Sequence, residues 1–186
     1  MIYLMLKAVL SKKDLRQCDD YFSCVKDLID DRNILRLCEF SHHSGTTRFQ
    51  HSLNVSYYNF KLCRLLHLNA RAGARAGLFH DLFFYDRREH EPVKGEGWHG
   101  VGHPKIALSN TSEMFSISEL EGDMILNHMW PLSPRLPKHR ETYVITLVDK
   151  FCAIAEVMTH FCSVGRTRFR FAEAFAMMLL VRMTLH

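Results

Sequence analysis

Apolar positions recur along most of the chain with the three-to-four-residue spacing of helices that bury one side. Leu15, Cys18, Phe22, Val25 and Ile29 follow Ser11-Lys12-Lys13-Asp14, a capping and acidic start, and predict a helix over about 12–30. Ile34, Leu35 and Leu37 predict a second, shorter one. Ser41-His42-His43-Ser44-Gly45-Thr46-Thr47 reads as a loop, since small polar residues and glycine dominate it. Helical spacing resumes over about 49–66, with Leu53, Tyr57, Phe60 and Leu65 on the apolar side and His51 in the first turn. Asn69 suits a cap for the next helix, where Ala70, Ala72, Ala74 and Ala76 supply propensity and Gly73 and Gly77 permit close packing. That helix carries His80 and Asp81 near its end and reads as the crowded centre of a bundle.

Residues 86–102 break the pattern with charges, Pro92 and glycines at 95, 97, 100 and 102. They predict a long loop, either a lid or a plain surface excursion. Pro104 suits the first turn of a helix through Ile106, Ala107 and Leu108. Ser118-Glu119-Leu120-Glu121 is a capping-box signature that opens a helix ending at Trp130, ahead of Pro131. Pro137 opens the longest helix, to about Phe161, with Val144, Leu147, Val148, Phe151, Ile154, Ala155 and Met158 on its buried side. A last helix over about 169–185 is rich in Phe, Met and Leu. No strand, internal repeat or low-complexity tract is evident.

These elements predict an all-α, single-domain helical bundle, and 186 residues suffice for one core without covalent staples. Six cysteines, none in a C-x-x-C pair and most beside apolar residues, read as reduced, mostly buried thiols. The net charge of +4 comes from scattered Lys and Arg, which favours anionic small substrates over a nucleic-acid surface. With no signal-type leader and no membrane span, the expected location is cytoplasmic.

The chemistry concentrates in Gly77-Leu78-Phe79-His80-Asp81-Leu82. An imidazole next to a carboxylate in an apolar run has to satisfy both polar groups, and a divalent cation does so. An Asp that orients a His, or a His closing a helix, are the plainer alternatives. Asp149 lies inside another apolar helix, where an ion pair with Arg or Lys is the main rival to a metal. His128 at a helix end also gains from the helix dipole without any metal.

The ordered series His51, His80-Asp81, His103, His128 and Asp149, each member on its own helical segment, resembles the HD-domain superfamily of metal-dependent phosphohydrolases over about 48–156. The two extra histidines are similar to those of the binuclear branches, such as the HD-type enzymes that split dinucleoside tetraphosphates. The resemblance implies an HD-type bundle with its metal-binding domain over 41–165; an N-terminal helical extension over 1–40 and a C-terminal helix over 166–186 lie outside it and are expected to pack on the same compact domain. It implies His51, His80, Asp81 and Asp149 as ligands of one metal, with His103 and His128 completing a second position. Imidazole and carboxylate donors suit one or two divalent ions such as Fe, Mn, Co, Ni, Zn or Mg.

The expected reaction is cleavage of a phosphoester or phosphoanhydride bond in a nucleotide or other small phosphorylated substrate. Asp81 and His103 would orient a metal-activated water, and Lys150 would support Asp149 or the substrate. Arg48 and Lys105 are candidate phosphate contacts and Trp130 a candidate stacking surface; solvated cations and a core aromatic are the plainer readings. His99 is placed near the site or in the lid, since Gly100 and Gly102 argue against a helix joining it to His103. The other histidines, His42 among them, read as ordinary. A di-iron oxygenase on the same scaffold and a non-catalytic nucleotide-binding sensor are alternative functions. No stable nucleic-acid complex and no membrane association are expected, and the apolar C-terminal helix is compatible with a homodimer.

Overall fold

The computed structural model describes residues 6–11, 13–42, 45–86, 99–133 and 135–164. The protein is a single all-α domain: α1 (Asp19–Val25), α2 (Arg32–Leu35), α3 (Arg48–Leu65), α4 (Ala70–Phe79), α5 (His99–Met114), α6 (Glu119–Asn127) and α7 (Arg140–Val164), with 3-10 turns at Leu15–Gln17 and Arg36–Glu39. No strand occurs among the described residues; one antiparallel bridge, Ser41 to Thr47, closes the loop before α3. No helix among them is long and apolar enough to cross a membrane. The expected helix over 166–186 and most of the expected lid over 86–102 lie outside the described residues.

The helix expected over 12–30 is divided. Asp14 accepts from Arg16 N and holds a short 3-10 turn, and Cys18 leaves helical geometry before α1 begins. The apolar spacing survives in part: of the expected face Leu15, Val25 and Ile29 are buried and Cys18 and Phe22 half-buried, while Tyr21 and Leu28 are buried as well. The buried ones join Ile34, Leu37, Phe49, Leu53, Leu78, Phe79 and Ile125 in one core cluster, so the described residues before α3 build the same interior as the long helices.

A second cluster, with Val55, Leu62, Cys63, Ala76, Met124, Val148 and Cys152, lies on the other side of α3. Helix α3 is therefore sandwiched and buries both sides rather than one: residues 51 to 56 are consecutively buried. Leu65, in its last turn, is 67% exposed. Thr47 caps α3 by accepting from Gln50 N, and Asn69 caps α4 by accepting from Ala72 N. Where α4 crosses α3, a Cβ built on Gly77 would fall 2.4 Å from Ser56 Cα, so only glycine allows this approach. Polar links reinforce the crossing: Tyr21 Oη and Ser56 Oγ lie 2.9 Å apart, and Ser56 Oγ donates to Ala74 O at 2.7 Å.

The capping box of α6 forms, with Ser118 and Glu121 bonding each other's backbone N–H. Glu121 also accepts from Arg75 Nε at 3.0 Å, and Arg75 reaches Asp27 at 2.7 Å, which ties α6 to α4 and the N-terminal layer. Helix α6 ends at Asn127, three residues earlier than expected. Helix α5 starts at His99, not at Pro104: Gly100 and Gly102 lie within it and Pro104 sits inside, so His99 and His103 share one helix. On α7, Leu147 and Ile154, expected inside, are 42% and 60% exposed, while Ile145, Cys152 and Glu156 are buried instead. Of the thiols, Cys63 and Cys152 are buried, Cys18 and Cys24 half-buried and Cys38 exposed.

Candidate metal centre

Two of the site histidines are placed by the same local device. His80 caps the C-terminus of α4 and its Nδ1 donates to Gly77 O at 2.9 Å; His128 caps α6 and its Nδ1 donates to Ile125 O at 2.8 Å. Each ring satisfies a carbonyl that the helix end leaves open. The hydrogen bond fixes the proton on Nδ1 and turns the Nε2 lone pair inward. His80 Nε2 is buried and makes no hydrogen bond, an unusual condition that a cation would relieve.

The remaining donors converge on those two. Asp81, following His80, stands between two groups: Oδ1 is 3.4 Å from His103 Nε2 and 4.0 Å from His128 Nε2, while Oδ2 is 3.7 Å from His80 Nε2. His103 Nε2 and His128 Nε2 are 3.0 Å apart. Beyond His80, Asp149 Oδ1 lies 3.8 Å from His80 Nε2 and 3.1 Å from His51 Nε2. Ligands held at roughly 2.1 Å from one ion stand about 3.0–3.5 Å from each other. The donor separations are therefore near those of two coordination spheres sharing Asp81. The buried groups His51-His80-Asp149 and His80-Asp81-His128 can each hold a metal ion.

The electrostatics of His128, Asp81 and Asp149 suit ligand use, whereas His51 is held protonated at neutral pH and would have to lose a proton to coordinate. Burial together with neighbouring His103 and His80 pushes His128 down to about 3, so its imidazole stays neutral and able to coordinate. Burial works against a charged Asp81, but the imidazoles of His80, His103, His128 and His42 hold its carboxyl well below the usual range. Asp149 is also held low against burial, by His51, His80 and Lys150. Burial disfavours a charged His51 too, yet hydrogen bonds to Asp149 and Glu156 raise it to about 10.

All six expected ligands, His51, His80, Asp81, His103, His128 and Asp149, are thus brought together from α3, the end of α4, α5, the end of α6 and α7. Lys150 Nζ lies 2.9 Å from Asp149 Oδ2 and 3.3 Å from His128 O, beside the ligands. The expected substrate contacts are placed differently. Arg48 is 1% exposed; its guanidinium donates to Phe83 O (2.7 Å) and Tyr85 O (3.1 Å) and lies 3.7 Å from the Phe83 ring centroid. It fastens the segment after Asp81 rather than facing solvent as a phosphate contact. Lys105 is exposed on α5. Trp130 packs edge-on against Tyr143, its ring centroid 5.4 Å away.

Two residues at the site were not expected there. Glu156 is 3% exposed and accepts from His51 Nδ1 at 3.0 Å and from Asn54 Nδ2 at 2.7 Å. Burial opposes its ionisation, but His42, His51 and Asn54 hold it down at about 2. Its signal in the sequence was its position seven residues after Asp149, two turns along the same buried side of α7. His42 stacks on His51, centroids 3.9 Å apart, although it belongs to the loop before α3. Neither periodicity nor a cap marked it.

No family model, curated protein or solved structure matches the chain.

Proposed function

We propose that the protein is a metal-dependent phosphohydrolase of the HD type that cleaves a phosphoester or phosphoanhydride bond in a nucleotide or another small phosphorylated compound. The observation that carries the reading is Asp81: one buried carboxylate whose two oxygens face separate histidine groups, the geometry of a ligand shared by two divalent ions. Such a pair supplies a water acidic enough to act as nucleophile and a clamp on the phosphoryl oxygens. His51, His80 and Asp149 would hold one ion, His103 and His128 the other, with Asp81 common to both.

The chain's own groups do the rest by position. Asp81 would hold the two ions at which the attacking water is activated. Glu156 and Asn54 keep the His51 ring turned with Nε2 toward Asp149. Lys150, next to Asp149 and the His128 carbonyl, adds a positive charge at the rim. With Glu156 counted, three carboxylates stand at the centre, so two divalent ions leave about one positive charge to favour a phosphate.

The test is metal content per chain after purification without a metal-affinity tag, followed by phosphate or nucleotide release from monoesters, diesters and nucleoside polyphosphates with the bound metal. The expected result is two metals per chain and turnover that Asp81→Asn abolishes. A chain that binds no Mn, Fe, Co or Zn, or that binds metal and releases nothing from any of the three substrate classes, would refute the proposal.

A further inference from the structure

Helix α7 buries one side in the core and turns a second apolar side outward. Tyr143 and Leu147 are exposed, Ile154 and Phe161 are 60% and 65% exposed, and Val157 is half-buried. Together with Lys150 they recur at alternating intervals of four and three residues, which places them within about 80° of arc along about 27 Å of helix. A surface helix turns charged and polar residues to water, yet Lys150 is the one charged member of this series. A helix apolar on two opposite sides is suited to being covered on both.

The chain directly after α7 carries the matching pattern. Gly165, a residue type that ends helices, follows Val164, and Phe171, Phe175, Met178, Arg182 and Leu185 then recur at the same alternating intervals. A helix over 169–185 would be about 24 Å long, nearly the length of the exposed stripe. In an antiparallel hairpin that turns over 165–168, a connection of ordinary length, Phe161 comes level with Phe171, Ile154 with Met178 and Leu147 with Leu185. The two series then meet member against member, as the seams of paired helices do. Lys150 falls level with Arg182, but its Nζ lies 2.9 Å from Asp149 Oδ2, so its charge is already engaged. Both basic side chains have stems long enough to keep their ends in water.

We propose that residues 169–185 form a helix that docks antiparallel on the exposed stripe of α7 in the same chain. A second copy is the rival occupant, and two arguments disfavour it. A four-residue tether presents the segment to α7 at an effective concentration on the order of millimolar. One hairpin also covers both apolar series, whereas α7 packed on the α7 of a second copy would leave Phe171, Phe175 and Met178 in water. The docking does not depend on what the centre binds. Where the centre takes an anionic substrate, the hairpin brings Arg182 level with Lys150 and adds a second cation at the rim.

The test is photo-crosslinking of the full chain with p-benzoylphenylalanine in place of Ile154, in an equal mixture of unlabelled and isotope-labelled protein. The expected product joins position 154 to the tryptic peptide 171–182 of a chain with the same label. The same group in place of Leu65, exposed at the end of α3, should not give it. Ile154→Glu is expected to speed amide hydrogen exchange over 175–181 by at least about 10-fold, because it removes a buried isoleucine from the contact. Leu65→Glu should leave that exchange unchanged, and circular dichroism checks that both variants fold. Products of mixed label would make a second copy the occupant and overturn the proposal. No product with 171–182, with exchange unchanged in Ile154→Glu, would leave the stripe uncovered and overturn it as well.

Discussion

Gly77→Ala tests whether the α3–α4 crossing sets the geometry of the centre. The new Cβ would lie 2.4 Å from Ser56 Cα, 2.6 Å from Ser56 N and 3.0 Å from Val55 C, all backbone atoms that no rotamer change can move. Carbon atoms pack at about 3.5–4.0 Å, so the two helices have to separate by about 1 Å or more. Overpacking of this kind costs about 1–3 kcal/mol, and backbone contacts place it at the upper end. Replacing a helical glycine by alanine returns at most about 1 kcal/mol. The net loss is then about 2 kcal/mol, or a Tm about 4–8 °C lower for a chain of this size. Because Gly77 O holds His80 Nδ1, metal affinity should fall as well. Gly122→Ala is the control: its nearest neighbours would be Leu108 Cδ1 at 3.6 Å and Ile117 Cδ1 at 4.0 Å, ordinary contacts, so it should stabilise by up to about 1 kcal/mol. Differential scanning calorimetry of both reads the contrast. A Gly77→Ala protein as stable as the parent would refute the crossing geometry.

Asp123→Ala should destabilise by about 2–4 kcal/mol in urea unfolding, since buried Asp123 accepts from Lys138 N, His139 N and Thr142 Oγ1 where α7 begins and from Asn127 Nδ2 within α6; an unchanged midpoint would show that water replaces these bonds. After treatment with a chelator, stability should depend on pH through His51. Its pKa is raised from 6.5 to about 10, so this contribution is complete below pH 6.5 and lost as pH rises toward 10. Tm should fall across that window in the chelated parent and stay flatter in His51→Gln; a parent curve as flat as the variant's would contradict the Asp149–His51–Glu156 arrangement.

The sequence was most legible where one residue type does one local job. The Asn69 cap, the Ser118–Glu121 box and the small residues of α4 act through neighbours within a turn or across a single contact, and all were readable. His80, Asp81 and Asp149 were readable too, because a polar residue inside an apolar helix must find a partner to offset its burial, whereas His51, His103 and His128 were singled out by the resemblance. What escaped depended on long-range packing. Apolar spacing cannot distinguish a helix buried on one side from one sandwiched like α3, and it placed Leu147 and Ile154 inside when α7 turns Ile145 and Cys152 there instead. Glycines argued against helix at His99, yet the backbone continues through them. Arg48 reads as a cation for phosphate because sequence does not reveal that the Phe83 and Tyr85 carbonyls come back to meet it. His42 lay in a loop, where no periodicity assigns a direction to a side chain.

The paired arrangement of His80 and His128, each anchored to a carbonyl three residues earlier, makes the centre a junction of helix ends. A side chain mounted this way inherits the phase of its helix. One residue inserted within α4 or α6 would turn everything after it by about 100° and carry the imidazole off its partners, even with every side chain preserved. Length in these two short helices is therefore as constrained as identity. The centre sets no such limit on the far end of α7 beyond Glu156, where none of its side chains depends on the phase.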